Sequence, residues 1–149
     1  MRVGDIMTAD VRTVSSGDTV AETATLLSKN RISSVVVKDG NDVVGIVTER
    51  DIVHAVADGV DPKATSVGER MTKDLATVDR KTDVADAAQL MAQRRIRHLP
   101  VLDKGSLAGI VSIRDLTNWA IAEMTGGHEL PDLERSSAVS AAFGETRSH

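Results

Sequence analysis

The sequence contains no cysteine and no tyrosine, and only one tryptophan and one phenylalanine among its 149 residues. Without cysteine there can be no disulfide, no thiolate metal site and no cysteine nucleophile. So few aromatic side chains require an aliphatic core, and they leave no stacking platform for single-stranded nucleic acid. The net charge of −4 also argues against a duplex-binding surface, which is usually basic. We therefore expect no nucleic-acid partner.

Long apolar runs are missing as well. No run approaches the roughly 20 residues that span a bilayer, and the first residues lack the apolar segment of a signal peptide. The hydrophobic fraction of 41% and the charged fraction of 27% are typical of a globular domain. We expect a soluble cytoplasmic protein with no membrane contact.

What the chain does contain is an internal repeat. When the sequence is shifted by about 64 positions, long stretches of it align with one another without a gap. The matches include Val3-Gly4 with Val67-Gly68, Met7-Thr8 with Met71-Thr72, Arg31-Ile32 with Arg95-Ile96, and Gly45-Ile46-Val47 with Gly109-Ile110-Val111. Two copies are too few for a solenoid, so they indicate a pseudo-symmetric pair of units.

Each copy predicts the order strand, helix, strand, strand, helix. Thr19 and Glu22 form a capping-box pattern, and short β-branched runs on either side of a turn cluster predict a hairpin. The predicted elements of the first copy are an extended piece near 11–14, a helix at 20–30, strands at 35–37 and 43–47, and a helix at 48–58. Those of the second copy lie near 75–78, from 82 or 83 to 94, and at 99–102, 107–111 and 112–124. We expect unit 1 at residues 1–60, a linker at 61–66, unit 2 at 67–124, and a tail at 125–149 that is either a short helix or mobile.

The most informative pattern is the doubled segment at 45–51 and 109–115, in which an apolar strand runs into a hydroxyl residue and an aspartate follows three positions later. One interpretation is a capping box alone, with Thr48 or Ser112 capping a helix and Asp51 or Asp115 at its third position. A cap does not need the arginine that precedes each aspartate, Arg50 and Arg114.

The second interpretation is a nucleotide site. A helix start offers free backbone N–H groups to a phosphate, which the hydroxyl and the arginine can also contact. A carboxylate repels phosphate, so the aspartate needs another partner, and the two adjacent hydroxyls of a ribose suit it. The sequence alone leaves both interpretations open.

These residues also carry a family resemblance. The doubled Gly-Ile-Val-Thr/Ser-x-x-Asp segment, the openings Asp5-Ile-Met-Thr8 and Glu69-Arg-Met-Thr72, and the segment Ile96-Arg-His-Leu-Pro-Val101 resemble a tandem pair of CBS domains, also called a Bateman module. The resemblance implies an α+β fold of two pseudo-symmetric units whose small mixed sheets pack on each other and enclose two clefts. It also implies an adenosine-containing ligand, either AMP, ADP, ATP or S-adenosylmethionine, with Mg²⁺ possible beside ATP.

The same resemblance implies further contacts with the ligand. Thr13 and Thr77 match the strand whose backbone faces the adenine, and Val35 and Leu99 match positions that sandwich the base, although a plain core role suits both. Arg97 and His98 match positions of phosphate contacts, with a solvated helix end as the alternative for the cations beside them.

The resulting hypothesis is a regulatory module, not an enzyme, that binds an adenosine ligand and acts on an unidentified protein effector through a conformational change. The resemblance implies a homodimer. The alternative is a structural or stress-associated dimer with vestigial clefts. No histidine spacing or acid–base pair in the sequence indicates catalysis or a metal site.

Overall fold

The structure is a computed structural model that describes Met1–Gly126, so nearly all of the predicted tail lies outside the described residues. The first copy contains α1 (Val3–Ile6), β1 (Thr13–Val14), α2 (Val20–Asn30), β2 (Ser34–Asp39), β3 (Asp42–Thr48) and α3 (Glu49–Ala57). The second contains α4 (Val67–Arg70), β4 (Val78–Asp79), α5 (Val84–Arg94), β5 (His98–Asp103), β6 (Ser106–Ser112) and α6 (Ile113–Met124). The predicted order is confirmed. The short helices α1 and α4 were not predicted.

Each copy builds a three-stranded mixed sheet. The strand orders are β1-β2-β3 and β4-β5-β6, in which the first strand is parallel and the hairpin antiparallel. Both hairpins shift register at the same place, after Val37 in β2 and after Val101 in β5. The predicted α+β fold class is therefore confirmed, and the repeat extends to a local irregularity that no sequence pattern marks.

Local capping fixes where the first long helix of each copy begins and ends. Thr19 Oγ1 accepts a hydrogen bond from the Glu22 amide at 3.0 Å, and the Glu22 carboxylate accepts one from the Thr19 amide at 3.2 Å, as the capping-box pattern predicts. In the second copy Asp83 occupies the cap position without such a side-chain bond. Arg31 and Arg95 end the two helices in left-handed conformation, with φ of 52° and 55°.

The opening segment of each copy pairs with the other copy. In the first opening segment, residues 3–8, the Val3 amide donates to the Thr82 carbonyl at 2.8 Å, and Thr8 exchanges two backbone hydrogen bonds with Ile110 of β6 at 2.9 and 3.0 Å. In the second, residues 67–72, the Val67 amide donates to Asp18 at 2.7 Å, and Thr72 exchanges two bonds with Ile46 of β3 at 2.9 and 3.1 Å. The two copies are thus hydrogen-bonded to each other reciprocally.

Two glycines allow these exchanged segments to approach the sheets. A Cβ built on Gly109 of β6 would lie 2.6 Å from the Thr8 carbonyl oxygen and 2.8 Å from Met7 Sδ. At the matching position of β3, a Cβ on Gly45 would overlap the Met71 side chain. The backbone contact makes a side chain unfavourable at Gly109, whereas at Gly45 the neighbouring Met71 side chain would have to move.

The core is aliphatic, as the composition predicts, and the two copies share it. Leu27, Val35, Val37 and Val47 of the first copy form one buried cluster with Val67 of α4, which belongs to the second copy. The chain divides into one compact unit up to Leu116 and a second that begins at Thr117 within α6. Among the described residues no helix is long and apolar enough to cross a membrane.

Candidate functional site

The first doubled junction joins β3 to α3. Thr48 is the N-cap, and its Oγ1 accepts from the Asp51 amide at 3.4 Å. Asp51 Oδ2 accepts in return from the Thr48 amide at 2.8 Å and from the Thr48 hydroxyl at 3.2 Å. This is a complete capping box, with the carboxylate held against its own main chain.

The second junction, between β6 and α6, repeats this geometry. Asp115 Oδ2 accepts from the Ser112 amide at 2.7 Å and from the Ser112 hydroxyl at 3.0 Å, and the Asp115 amide donates to Ser112 Oγ at 3.2 Å. Asp115 is 9% exposed, whereas Asp51 is half-buried. The capping-box interpretation is therefore correct in both copies.

The cap does not use the whole Asp51 carboxylate. Within residues 1–126 its hydrogen bonds all end on Oδ2, and a carboxylate has two oxygens with room for about four hydrogen bonds. Oδ1 is therefore available to a ligand hydroxyl. Because Oδ2 is fixed by the cap, Oδ1 is also held in a defined direction. The cap and a ligand contact can coexist in one side chain.

Asp51 lines a cleft of about 390 Å³, which lies within the range of small-molecule sites. Its lining is formed by Arg50, Asp51 and His54 of α3 and by Glu69 and Arg70 of α4. One wall thus belongs to the first copy and the other to the opening segment of the second. We call this hollow the α3–α4 cleft.

Ion pairing and capping fix the α4 wall. Arg70 Nη2 lies 2.5 Å from Asp58 Oδ2 at the end of α3, and the Arg70 side chain is only 24% exposed. Glu69 Oε2 accepts from the Ser66 amide at 3.0 Å and from the Ser66 hydroxyl at 3.3 Å. These contacts hold one guanidinium and one carboxylate at the cleft before any ligand arrives.

Sequence reasoning missed three of the lining residues, His54, Glu69 and Arg70. A signal for His54 was present, because it follows Asp51 by three positions and therefore shares its helix face. Glu69 and Arg70 stand in one of the openings that carry the family resemblance, but nothing local places that opening against α3.

The other predicted site residues differ in their relation to the α3–α4 cleft. Arg50 is exposed and lines the α3–α4 cleft, and Arg114 is exposed at the second junction. Thr13 and Thr77 are exposed, the former in β1 at a sheet edge and the latter immediately before β4. Neither threonine lines the α3–α4 cleft.

Val35 and Leu99 are core residues. Both side chains have an exposed fraction of 0%, and Val35 belongs to the shared aliphatic cluster. A base could stack on either one only after the surrounding side chains had moved. The structure thus favours the core role for both residues, and in this conformation they offer no surface to a ligand.

Arg97 and His98 lie where the two copies meet at the start of β5. His98 Nε2 and Ser33 Oγ of the first copy are 3.0 Å apart and share a hydrogen bond. Burial, and then the positive charges of Arg97 and Arg114, lower the pKa of His98. These groups gather cationic charge beside the second junction, but the lining of the α3–α4 cleft does not include Arg97 or His98.

Two further observations delimit the site. A second cleft, of about 450 Å³, lies at the start of α2 and contains none of the predicted ligand residues. Within residues 1–126 no group of three or more histidine, aspartate or glutamate side chains is placed to hold a metal ion. Magnesium beside ATP therefore stays a prediction from the resemblance.

Comparison with known proteins identifies the family of the chain. The CBS domain-containing protein YhcV of Bacillus subtilis (strain 168) is 35% identical over 132 residues, which cover 88% of this chain and 94% of that protein. A CBS domain protein from Pyrobaculum aerophilum, solved in complex with AMP, is similar with a TM-score of 0.75 at 30% identity and covers 85% of this chain and 99% of its own.

A third relative was solved with different ligands. The CBS domain pair of protein MJ0100, in complex with 5-methylthioadenosine and S-adenosyl-L-methionine, has a TM-score of 0.75 at 28% identity, over 80% of this chain and 99% of that one. The CBS domain family itself matches residues 3–58 and 66–122. The chain therefore belongs to the CBS domain family and carries two CBS domains in tandem, as the resemblance predicted.

Proposed function

We propose that this chain is a regulatory module that binds an adenosine-containing ligand in the α3–α4 cleft. One observation carries the proposal: Asp51 lines a cleft between the two CBS domains, and its Oδ1 is oriented but unused within the described residues. A fixed carboxylate oxygen in a cleft suits the two hydroxyls of a ribose. The similar structures solved with AMP, or with S-adenosyl-L-methionine and 5-methylthioadenosine, support an adenosine group.

The proposed regulation depends on the fact that each domain contributes one wall of the cleft. Its two walls come from α3 of the first domain and α4 of the second, so a ligand that contacts both favours one relative placement of these elements. A ligand shifts such an equilibrium only by its differential affinity for the two states. The proposed output is a change in contact with a protein effector, and we retain the proposed homodimer and cytoplasmic location.

We also propose binding without catalysis. Asp51 and Asp115, the carboxylates of the doubled motif, each engage their own helix start in a cap, which suits a positioning role better than proton transfer. Product formation from ATP that disappears in Asp51→Ala and Asp115→Ala variants would contradict this.

The test is calorimetric titration of the full chain with AMP and 2′-deoxy-AMP. In Asp51→Asn the neutral amide can still cap α3 but accepts a ribose hydroxyl less strongly, so we expect AMP affinity to fall by about tenfold or more. The 2′-deoxy ligand should lose less, because it offers one hydroxyl fewer. Asp10→Asn, an exposed aspartate outside the cleft, is the matched control.

Two results would count against the proposal. Equal losses for AMP and its 2′-deoxy form would refute the ribose contact. Absence of binding by AMP, ATP and S-adenosylmethionine together would support the alternative, a structural dimer with vestigial clefts.

A further inference from the structure

We propose that the α3–α4 cleft selects an adenosyl ligand with a positively charged, zwitterionic tail over a nucleoside polyphosphate, and that Glu69 is the specificity-determining residue. The inference rests on the proposed function and names the ligand class of that site.

The fixed charges of the cleft are mixed. Each wall carries one guanidinium and one carboxylate: Arg50 and Asp51 on α3, and Arg70 and Glu69 on α4. The Arg70 guanidinium is already paired with the Asp58 carboxylate at 2.5 Å, which leaves Arg50 as the lining arginine without an ion pair within residues 1–126. Because Arg70 is paired outside the lining, two lining carboxylates remain beside one arginine that has no ion pair among the described residues.

The helix dipole does not reverse this balance. The start of α3 carries partial positive charge, which by itself would favour an anion. Its first turn, however, already contains the carboxylates of Glu49 and Asp51, and Asp51 is bonded to the cap. The positive end of the helix is therefore largely compensated by the chain itself.

Glu69 is positioned to receive a cation. Both of its described hydrogen bonds, from the Ser66 amide and hydroxyl, end on Oε2. The cap thus fixes the carboxylate while Oε1 remains for a ligand, as at Asp51. A polyphosphate would bring several negative charges against these carboxylates with one unpaired arginine to receive them.

An adenosyl sulfonium amino acid matches the same lining. Its ribose hydroxyls suit Asp51, its carboxylate suits Arg50, and its ammonium and sulfonium charges suit the carboxylate of Glu69. The aligned positions do not repeat this set, because the shorter Asp5 and the apolar Ile6 of the first domain stand where Glu69 and Arg70 stand, and Asn118 of the second domain stands where His54 stands. The selectivity is therefore assigned to the α3–α4 cleft alone.

The experiment is calorimetric titration of the full chain, in magnesium-free buffer, with S-adenosylmethionine, S-adenosylhomocysteine, AMP and ATP. S-adenosylhomocysteine keeps the amino acid but lacks the sulfonium charge. We expect S-adenosylmethionine to bind at least about tenfold more tightly than ATP, and Glu69→Gln to reduce that ratio by about tenfold. Glutamine keeps an oxygen for the Ser66 cap, so folding is preserved.

Asp5→Asn is the matched control, because Asp5 aligns with Glu69 and caps α1 through the Arg2 amide at 2.9 Å. This variant should leave the ratio unchanged. ATP binding as tight as S-adenosylmethionine, or an unchanged ratio in Glu69→Gln, would overturn the selectivity while leaving the proposed function intact. If none of the four ligands binds, both proposals are refuted.

Discussion

Replacing Gly109 by alanine tests whether the exchanged opening segments hold the two CBS domains together. The new Cβ would lie 2.6 Å from the Thr8 carbonyl oxygen, a distance that real Cβ atoms do not adopt. Thr8 cannot move away freely, because its amide and carbonyl form both hydrogen bonds to Ile110. The variant must therefore strain the sheet or give up this pairing.

The contacts at Gly109 determine how much unfolding free energy the variant should lose. Overpacking of a tight contact costs about 1–3 kcal/mol, and loss of the Thr8–Ile110 pairing would add about 1 kcal/mol for each hydrogen bond. Gly45→Ala meets mainly the Met71 side chain, which can rotate, although the Thr72 carbonyl lies 3.1 Å away. We therefore expect Gly109→Ala to lower the free energy of unfolding by about 1–3 kcal/mol if the pairing is kept and by about 3–5 kcal/mol if both hydrogen bonds are lost, and Gly45→Ala to lower it by less.

The assay is urea denaturation of the full chain, followed by far-ultraviolet circular dichroism. Gly17→Ala is the control, because a Cβ at this position meets nothing within 4 Å. Like Gly109→Ala, it lowers the conformational entropy of the unfolded chain, so the comparison cancels that effect. Equal unfolding free energies for Gly109→Ala and Gly17→Ala would refute the argument that this glycine is required by the exchanged segment.

Two further predictions concern local capping and pH. Thr19→Ala should lower the free energy of unfolding by about 1 kcal/mol, because it removes the acceptor of the Glu22 amide hydrogen bond. Asp83→Ala should lower it by less, since the Asp83 side chain makes no such bond. Equal losses of unfolding free energy for the two variants in urea denaturation would contradict the assigned caps. The pKa of His98 is lowered in the folded state, so the unfolded chain binds more protons than the folded chain near the ordinary histidine pKa of 6.5. The free energy of unfolding should therefore fall as the pH drops below that value. His98→Asn should flatten the pH dependence of the unfolding free energy between about pH 7 and pH 5. If the unfolding free energy changes with pH equally in the wild-type chain and in His98→Asn, His98 does not cause the dependence.

The relation of sequence to structure differs between the two walls of the cleft. On the α3 wall, Asp51 was predicted together with its cap partner Thr48, which does not line the cleft, because a cap is a local arrangement within three residues and the repeat presents it twice. Arg50 was predicted because an arginine precedes the aspartate in both copies. Glu69 and Arg70 were not predicted. Their place opposite α3 depends on pairing between Thr72 and Ile46, residues far apart in sequence, and no local pattern encodes such a contact.

The same distinction explains Val35 and Leu99. The aliphatic character of both residues predicted strands and allowed either a core role or a ligand role. Only the packed structure, in which Val67 joins the cluster around Val35, shows that the Val35 side chain has no exposed surface. Burial depends on what covers a side chain, and the cluster around Val35 combines residues of its own copy with Val67 and Met71 of the other copy.

The repeat, the order of helices and strands, the caps and the family can all be read from the sequence, since each is visible in periodicity or in residues a few positions apart. The exchange of the opening segments between the domains, and hence the cleft with one wall from each, becomes visible only in the folded chain. The reason is physical: backbone hydrogen bonds to the edge of a sheet carry little sequence information, so the partner of each edge becomes known only when the chain is folded.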